Sequence, residues 1–170
     1  MIDQATGEFL LVATIRLAMV CYFARLFVAG CRVIGRVPTR WQVVLWTLGC
    51  TLYTVHVLCA FAFAHQWSHA VAWEYTAQET QRLFGVRRGE GLWVNYLFTT
   101  VWGVDVVRQM IALVRRKATH PAIDVAIQLF MAFIVFNATA VFGPSVYRYA
   151  AVPVGILLAI SYHWQKQSRT

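Results

Sequence analysis

The sequence predicts an all-α polytopic membrane bundle with five transmembrane helices, and three observations predict it. Of 170 residues, 59% are hydrophobic and only 13% are charged, against about 45–50% and about 25% in soluble domains. The apolar residues fall in runs long enough to cross a bilayer, which takes roughly 20 residues. The basic residues cluster in short links between those runs, as in the loops of membrane proteins. A single integral membrane domain over residues 1–170 follows.

The first span covers about residues 10–29. Asp3 and Glu8 stand where a cleaved leader would carry basic residues, and no small-residue cleavage pattern follows. The segment therefore reads as a retained helix, interrupted by Arg16 and Arg25. A basic link over 32–40, containing Pro38, leads to the second span, 43–64. Residues 65–90 form the one sizeable loop. Within it 66–84 lacks Pro and Gly, so it reads as a helix that continues the second span or lies along the membrane surface. Gly85, Gly89 and Gly91 mark the return into the third span, 91–114, which stops at Arg115, Arg116 and Lys117.

Thr119, His120 and Pro121 form a helix-start pattern, and Asp124 just inside is a charge the helix dipole favours. The stretch 122–162 is too long for one crossing at about 1.5 Å per residue. Gly143, Pro144 and Ser145 divide it into spans 122–142 and 146–164, the latter carrying a kink candidate at Pro153.

Charge sets the orientation. Arg32, Arg36, Arg40, Arg115, Arg116, Lys117, Lys166 and Arg169 fall on one side, and Arg82, Arg87, Arg88 and Arg148 on the other. The richer side is expected to be cytoplasmic, which puts the N-terminus outside and the C-terminus inside. Trp41, Trp46, Tyr162 and Trp164 are then assigned to the inner aromatic belt, and Trp67, Trp73, Trp93 and Tyr96 to the outer one. The net charge of +8 would suggest nucleic acid in a soluble protein. Zinc-finger spacing and a basic helix with interleaved aromatics are both missing, and nucleic acid is set aside. Cys21, Cys31, Cys50 and Cys59 form no C-x-x-C pair and read as small apolar residues.

Histidines make the densest candidate site. His65 and His69 are four apart, so on one helix they would share a face and offer two ligands to a transition metal. A third ligand would have to come from another element. His56 falls near the middle of the second span, where an ionisable residue is a functional candidate or an interhelical hydrogen-bond partner. Haem is the sharp alternative. No second histidine falls at that depth, so ligation would take one histidine or two His56 residues across a homodimer.

Counting from the helix ends places Arg16, His56, Thr99, Thr100 and Asn137 in one intramembrane layer. Arg25, Tyr53, Asp105 and Arg108 form a second, nearer the cytoplasm. Asp105 and Arg108 are three apart, and Asp105 is expected to neutralise Arg25 or Arg108. Such layers serve as interhelical glue or as a proton or ion path. A path would need oligomerisation, because five helices leave little room for one.

The segments W-T-L-G-C from Trp46, H-V-L-C-A-F from His56, H-Q-W-S-H from His65, A-Q-E-T from Ala77, G-L-W-V-N-Y-L-F from Gly91 and V-W-G-V-D up to Asp105 resemble an uncharacterised group of small bacterial multi-span membrane proteins. The resemblance covers about a third of the chain and implies that His56, His65, His69, Asn95 and Asp105 belong to one motif region. That group has no assigned activity, so the resemblance bears on topology only.

Gly-rich phosphate loops, nucleophile elbows and metalloprotease motifs are all missing from the sequence, and nothing in it supports an enzyme. The expectation is a non-enzymatic accessory or scaffolding subunit in the inner membrane of a bacterium, held by lipid and by a membrane-protein partner or a second copy. A metal- or haem-binding redox subunit and a small oligomeric transporter or proton conductor are the alternatives.

Overall fold

The computed structural model describes residues 4–29 and 34–141. They are helical, with no strand among the described residues. Five α-helices follow in order: α1 Gln4–Ala29, α2 Arg40–Cys59, α3 His69–Phe84, α4 Gly91–Val114 and α5 Pro121–Phe136. α2 and α5 each pass into a π-helical turn, Ala60–Ala64 and Asn137–Val141. Four of these segments are long and apolar enough to cross a membrane: Ala5–Val28, Arg40–Ala64, Gly91–Val114 and Pro121–Thr139. The expected fifth span, 146–164, with its Gly143-Pro144-Ser145 turn and Pro153, lies outside the described residues, as does Cys31.

Local chemistry explains the helix boundaries. α2 begins three residues earlier than expected, at Arg40, because Thr39 and Gln42 form a reciprocal capping box. The Thr39 N–H donates to Gln42 Oε1 at 2.8 Å, and the Gln42 N–H donates to Thr39 Oγ at 3.3 Å. α4 ends in a Schellman motif, with the Lys117 N–H donating to Ala112 O and the Arg116 N–H to Leu113 O. Arg116 occupies its left-handed position at φ +50°, where glycine is the usual residue. α3 ends conventionally on Gly85 at φ +73°.

By their contacts the described residues form two compact units, 4–21 with 47–103, and 22–29 and 34–46 with 104–141. In the first unit the buried side chains include Ala18, Tyr53, Phe98 and Trp102. Gly49 is the small residue that lets them close. A Cβ there would lie 3.0 Å from the Trp102 ring and 3.2 Å from Cys21 Cβ. α3 packs beside the start of α4, its Ala72 and Ala77 buried and its Trp73 ring occupying the space a side chain at Gly89 would need.

In the second unit Trp46, Val106, Met131 and Val135 are buried, while Val104, Val107, Ile111 and Val114 expose one apolar stripe of α4. Leu129, Phe133 and Phe136 do the same on α5. Outward apolar stripes of this kind suit lipid rather than water. Threonines follow the same logic. The hydroxyls of Thr51, Thr54, Thr99, Thr100 and Thr139 each donate to the carbonyl four residues back, at 2.7–2.9 Å. Their polarity is thereby met within their own helices.

Candidate functional site

The second unit holds a buried charge network built on α4. Arg108 lies one turn beyond Asp105 and donates to Asp105 Oδ1 through Nε at 2.8 Å and Nη2 at 2.6 Å. The same Nη2 donates to Asp124 Oδ1 on α5 at 2.6 Å. Asp105 Oδ2 accepts the Trp46 Nε1–H of α2 at 2.9 Å. Asp124 Oδ2 accepts the Gly35 N–H at 2.8 Å and the Thr119 hydroxyl. Both carboxylates are fully buried. Each of their four oxygens has a donor.

Arg25 completes the group. Its guanidinium carbon sits 3.9 Å from the centroid of the Trp46 ring. Trp46 therefore faces a cation with its π surface and a carboxylate with its N–H. Two guanidiniums and two carboxylates sum to zero formal charge, which is the condition for keeping them out of water at tolerable cost. Arg25 Nη1 and Gln109 Nε2 are buried donors without a hydrogen-bond partner among the described residues.

The first unit holds the histidines. His56 Nδ1 lies 3.0 Å from Leu11 O on α1. A carbonyl can only accept, so Nδ1 carries the proton and Nε2 keeps its lone pair. Tyr53, one turn earlier, stacks on Trp102 and meets Phe98 edge-on. Tyr53 thus belongs to an aromatic core and not to a charged layer.

His65 and His69 do not share a helix face, which corrects the spacing argument. The α-helix ends at Cys59, the π turn carries the chain to Ala64, and Gln66 and Trp67 take left-handed φ values of 50° and 56°. A new helix then starts at His69, its first turn capped by the Ser68 hydroxyl accepting from the Val71 N–H. His65 packs between Phe61 and Tyr75, its Nδ1 buried without a partner among the described residues. Burial holds the His65 pKa below its ordinary value. His69 instead pairs Nδ1 with the Tyr96 hydroxyl at 3.1 Å, beside Trp93. No group of three or more candidate metal ligands occurs among the described residues, so the expected metal site has no support.

The remaining candidates are dispersed. Arg16 is exposed on α1. Asn137 donates to Phe133 O at 2.8 Å, as Thr99 and Thr100 donate within α4. Within the middle layer inferred from depth, Thr99, Thr100 and Asn137 therefore turn their polar groups into their own helices, while His56 bonds across to α1. On α3, Glu74 accepts from Gln78 and Arg87, which holds its carboxyl below the usual range, and Arg82 pairs with Glu79 at 2.7 Å.

Sequence reasoning missed Asp124, Trp46, Thr119 and Gly35. From its position Asp124 reads as a helix-start charge favoured by the dipole, and Trp46 as part of the inner aromatic belt. Trp46 is instead fully buried. One signal was available: the chain has only seven acidic residues, and Asp124 enters a span directly after a basic link. No protein-family model, curated protein or solved structure matches the chain, so its function is read from this geometry.

Proposed function

We propose that the chain is a five-span bundle of the bacterial inner membrane, N-terminus outside and C-terminus cytoplasmic. Its role is that of a non-enzymatic accessory or scaffolding subunit. One observation carries this reading: the buried ionisable groups on α4 and α5 are consumed by each other. Asp105 and Asp124 have no free oxygen to carry a proton or hold an ion, and Arg108 bridges both. The threonines and Asn137 spend their donors on their own helices and not along a path.

Two measurements test it. In proteoliposomes an imposed pH gradient should decay no faster than in empty vesicles, while site-directed cross-linking in native membranes should give a discrete adduct with one partner. Proton flux above the empty-vesicle rate would overturn the reading. Labelling of single cysteines at 75, 117 and 168 by an impermeant thiol reagent, in a background lacking the native cysteines, tests the topology. Position 75 should react from outside, and the other two only after permeabilisation.

A second reading, a redox subunit with His56 as a single haem ligand, is favoured by the His56 hydrogen bond to Leu11 O. That bond fixes the ring and leaves Nε2 as the free base, as in ligating histidines held by a carbonyl. A Soret band in the purified protein that disappears in His56→Ala would support it. A colourless, iron-free preparation would end it.

A further inference from the structure

The links 34–39 and 115–120 are stitched together in the second unit. The Thr119 N–H donates to Arg36 O at 3.2 Å, its hydroxyl donates to Asp124, and Asp124, five residues on, also takes the Gly35 N–H. This fastening gathers Arg36, Arg40, Arg115, Arg116 and Lys117, all exposed, at the ends of three apolar spans. The segments 34–41 and 115–123 contain no Asp or Glu. Asp124, the nearest acid in sequence, is turned inward and buried. Among the described residues none of the five basic groups has an ion-pair partner. In the 65–90 segment two of the three arginines are neutralised instead, Arg82 by Glu79 and Arg87 by Glu74.

Arg116 adds an independent sign. It holds the left-handed position of the α4 Schellman motif at φ +50°, where a non-glycine residue costs about 1–2 kcal/mol. Glycine would fit better at that position, and residues held in sparsely populated backbone regions cluster at binding sites. Trp41, exposed beside Arg40, supplies the amphipathic ring typical of the headgroup level.

We infer that this stitched basic face is a binding surface for the phosphate headgroups of anionic glycerophospholipids. The inference rests on the chain lying in a bilayer and not on the accessory-subunit role. The arginine and lysine side chains would donate to phosphate oxygens, and the outward apolar stripes of α4 and α5 would take the acyl chains.

The test is native mass spectrometry of full-length protein released from lipid nanodiscs of phosphatidylcholine and phosphatidylglycerol in equal amounts. The expected result is retention of phosphatidylglycerol well above its share. Selectivity should drop by roughly fivefold for each of Arg115→Gln, Arg116→Gln and Lys117→Gln. The pair Arg82→Gln with Arg87→Gln, both already neutralised, should leave it unchanged. Arg116→Gly separates binding from folding: it should match or exceed the wild-type thermal midpoint and still lose selectivity. Equal retention of both lipids by the wild type, or full selectivity in Arg116→Gly, overturns the inference. Failure to enter nanodiscs at all would overturn the membrane reading beneath it.

Discussion

Trp46 donates its indole N–H to Asp105 across 2.9 Å, although 59 positions separate them in the chain. The bond joins the start of α2 to the middle of α4. It also orients the indole so that its face lies against Arg25. Replacing Trp46 by Phe keeps an aromatic face but removes the donor. The expected loss is about 1.5–3 kcal/mol for a hydrogen bond to a charged group. It should appear as a lower thermal midpoint in detergent, and an unchanged midpoint would show that the bond is energetically idle.

Asp105→Asn should be more damaging. It keeps the shape but strips the charge that Arg108 meets through two nitrogens. Breaking one side of a buried pair costs about 3–5 kcal/mol. Circular dichroism during heating is the check, and a variant as stable as the parent refutes the assigned pairing.

Arg108 and Asp124 should be strongly coupled, because their 2.6 Å contact links two helices. In a double-mutant cycle, Arg108→Gln with Asp124→Asn should be milder than the sum of the two single changes by about 1–3 kcal/mol. Simple additivity would mean that the two groups do not stabilise one another.

Two glycines give opposite expectations. Gly49→Val must push against the Trp102 ring and Cys21, and overpacking of this kind costs about 1–3 kcal/mol. Gly103 has open space around the place its Cβ would take, so Gly103→Ala should raise stability by up to about 1 kcal/mol. Thermal midpoints of the two variants measured side by side decide the matter. Similar behaviour in both would contradict the packing around Gly49.

The turn that carries His65 should loosen in acid. Its folded pKa lies below the ordinary 6.5 because burial disfavours the charged ring. The open turn therefore binds the proton first. The stabilisation is complete above about pH 6.5 and is lost as the pH falls through the depressed folded value. Hydrogen exchange of residues 60–69 should accelerate over that window, relative to a distant helix. His65→Phe should remove the acceleration, and its persistence in that variant would assign the effect to another group.

The four long apolar helices were legible because long uncharged segments show directly in the composition, whereas helix starts set by local caps, such as Thr39 and Gln42 before α2, were not. The Asp105–Arg108 pair was legible from its three-residue spacing. The role of Asp124 was not, since its partners Gly35 and Arg108 lie 89 and 16 residues away and helical spacing reveals only neighbours. Gln66 and Trp67 hid the break after α2. Neither residue type announces a left-handed backbone, so periodicity ran through the turn and put His65 and His69 on a single helix.

The ion pair internal to α4 also bears on the order of synthesis. In the membrane setting proposed above, ribosomes deliver α4 before α5, so Arg108 reaches the bilayer without Asp124. A lone arginine or aspartate at the centre of an inserting helix costs about 2.5–3.5 kcal/mol. With Asp105 and Arg108 already joined, α4 can enter as a nearly neutral rod. Asp124 then arrives as the second partner and locks a helix that is already in place. A chain carrying Asp105→Asn should therefore show its defect during insertion, before the bundle has had any chance to unfold.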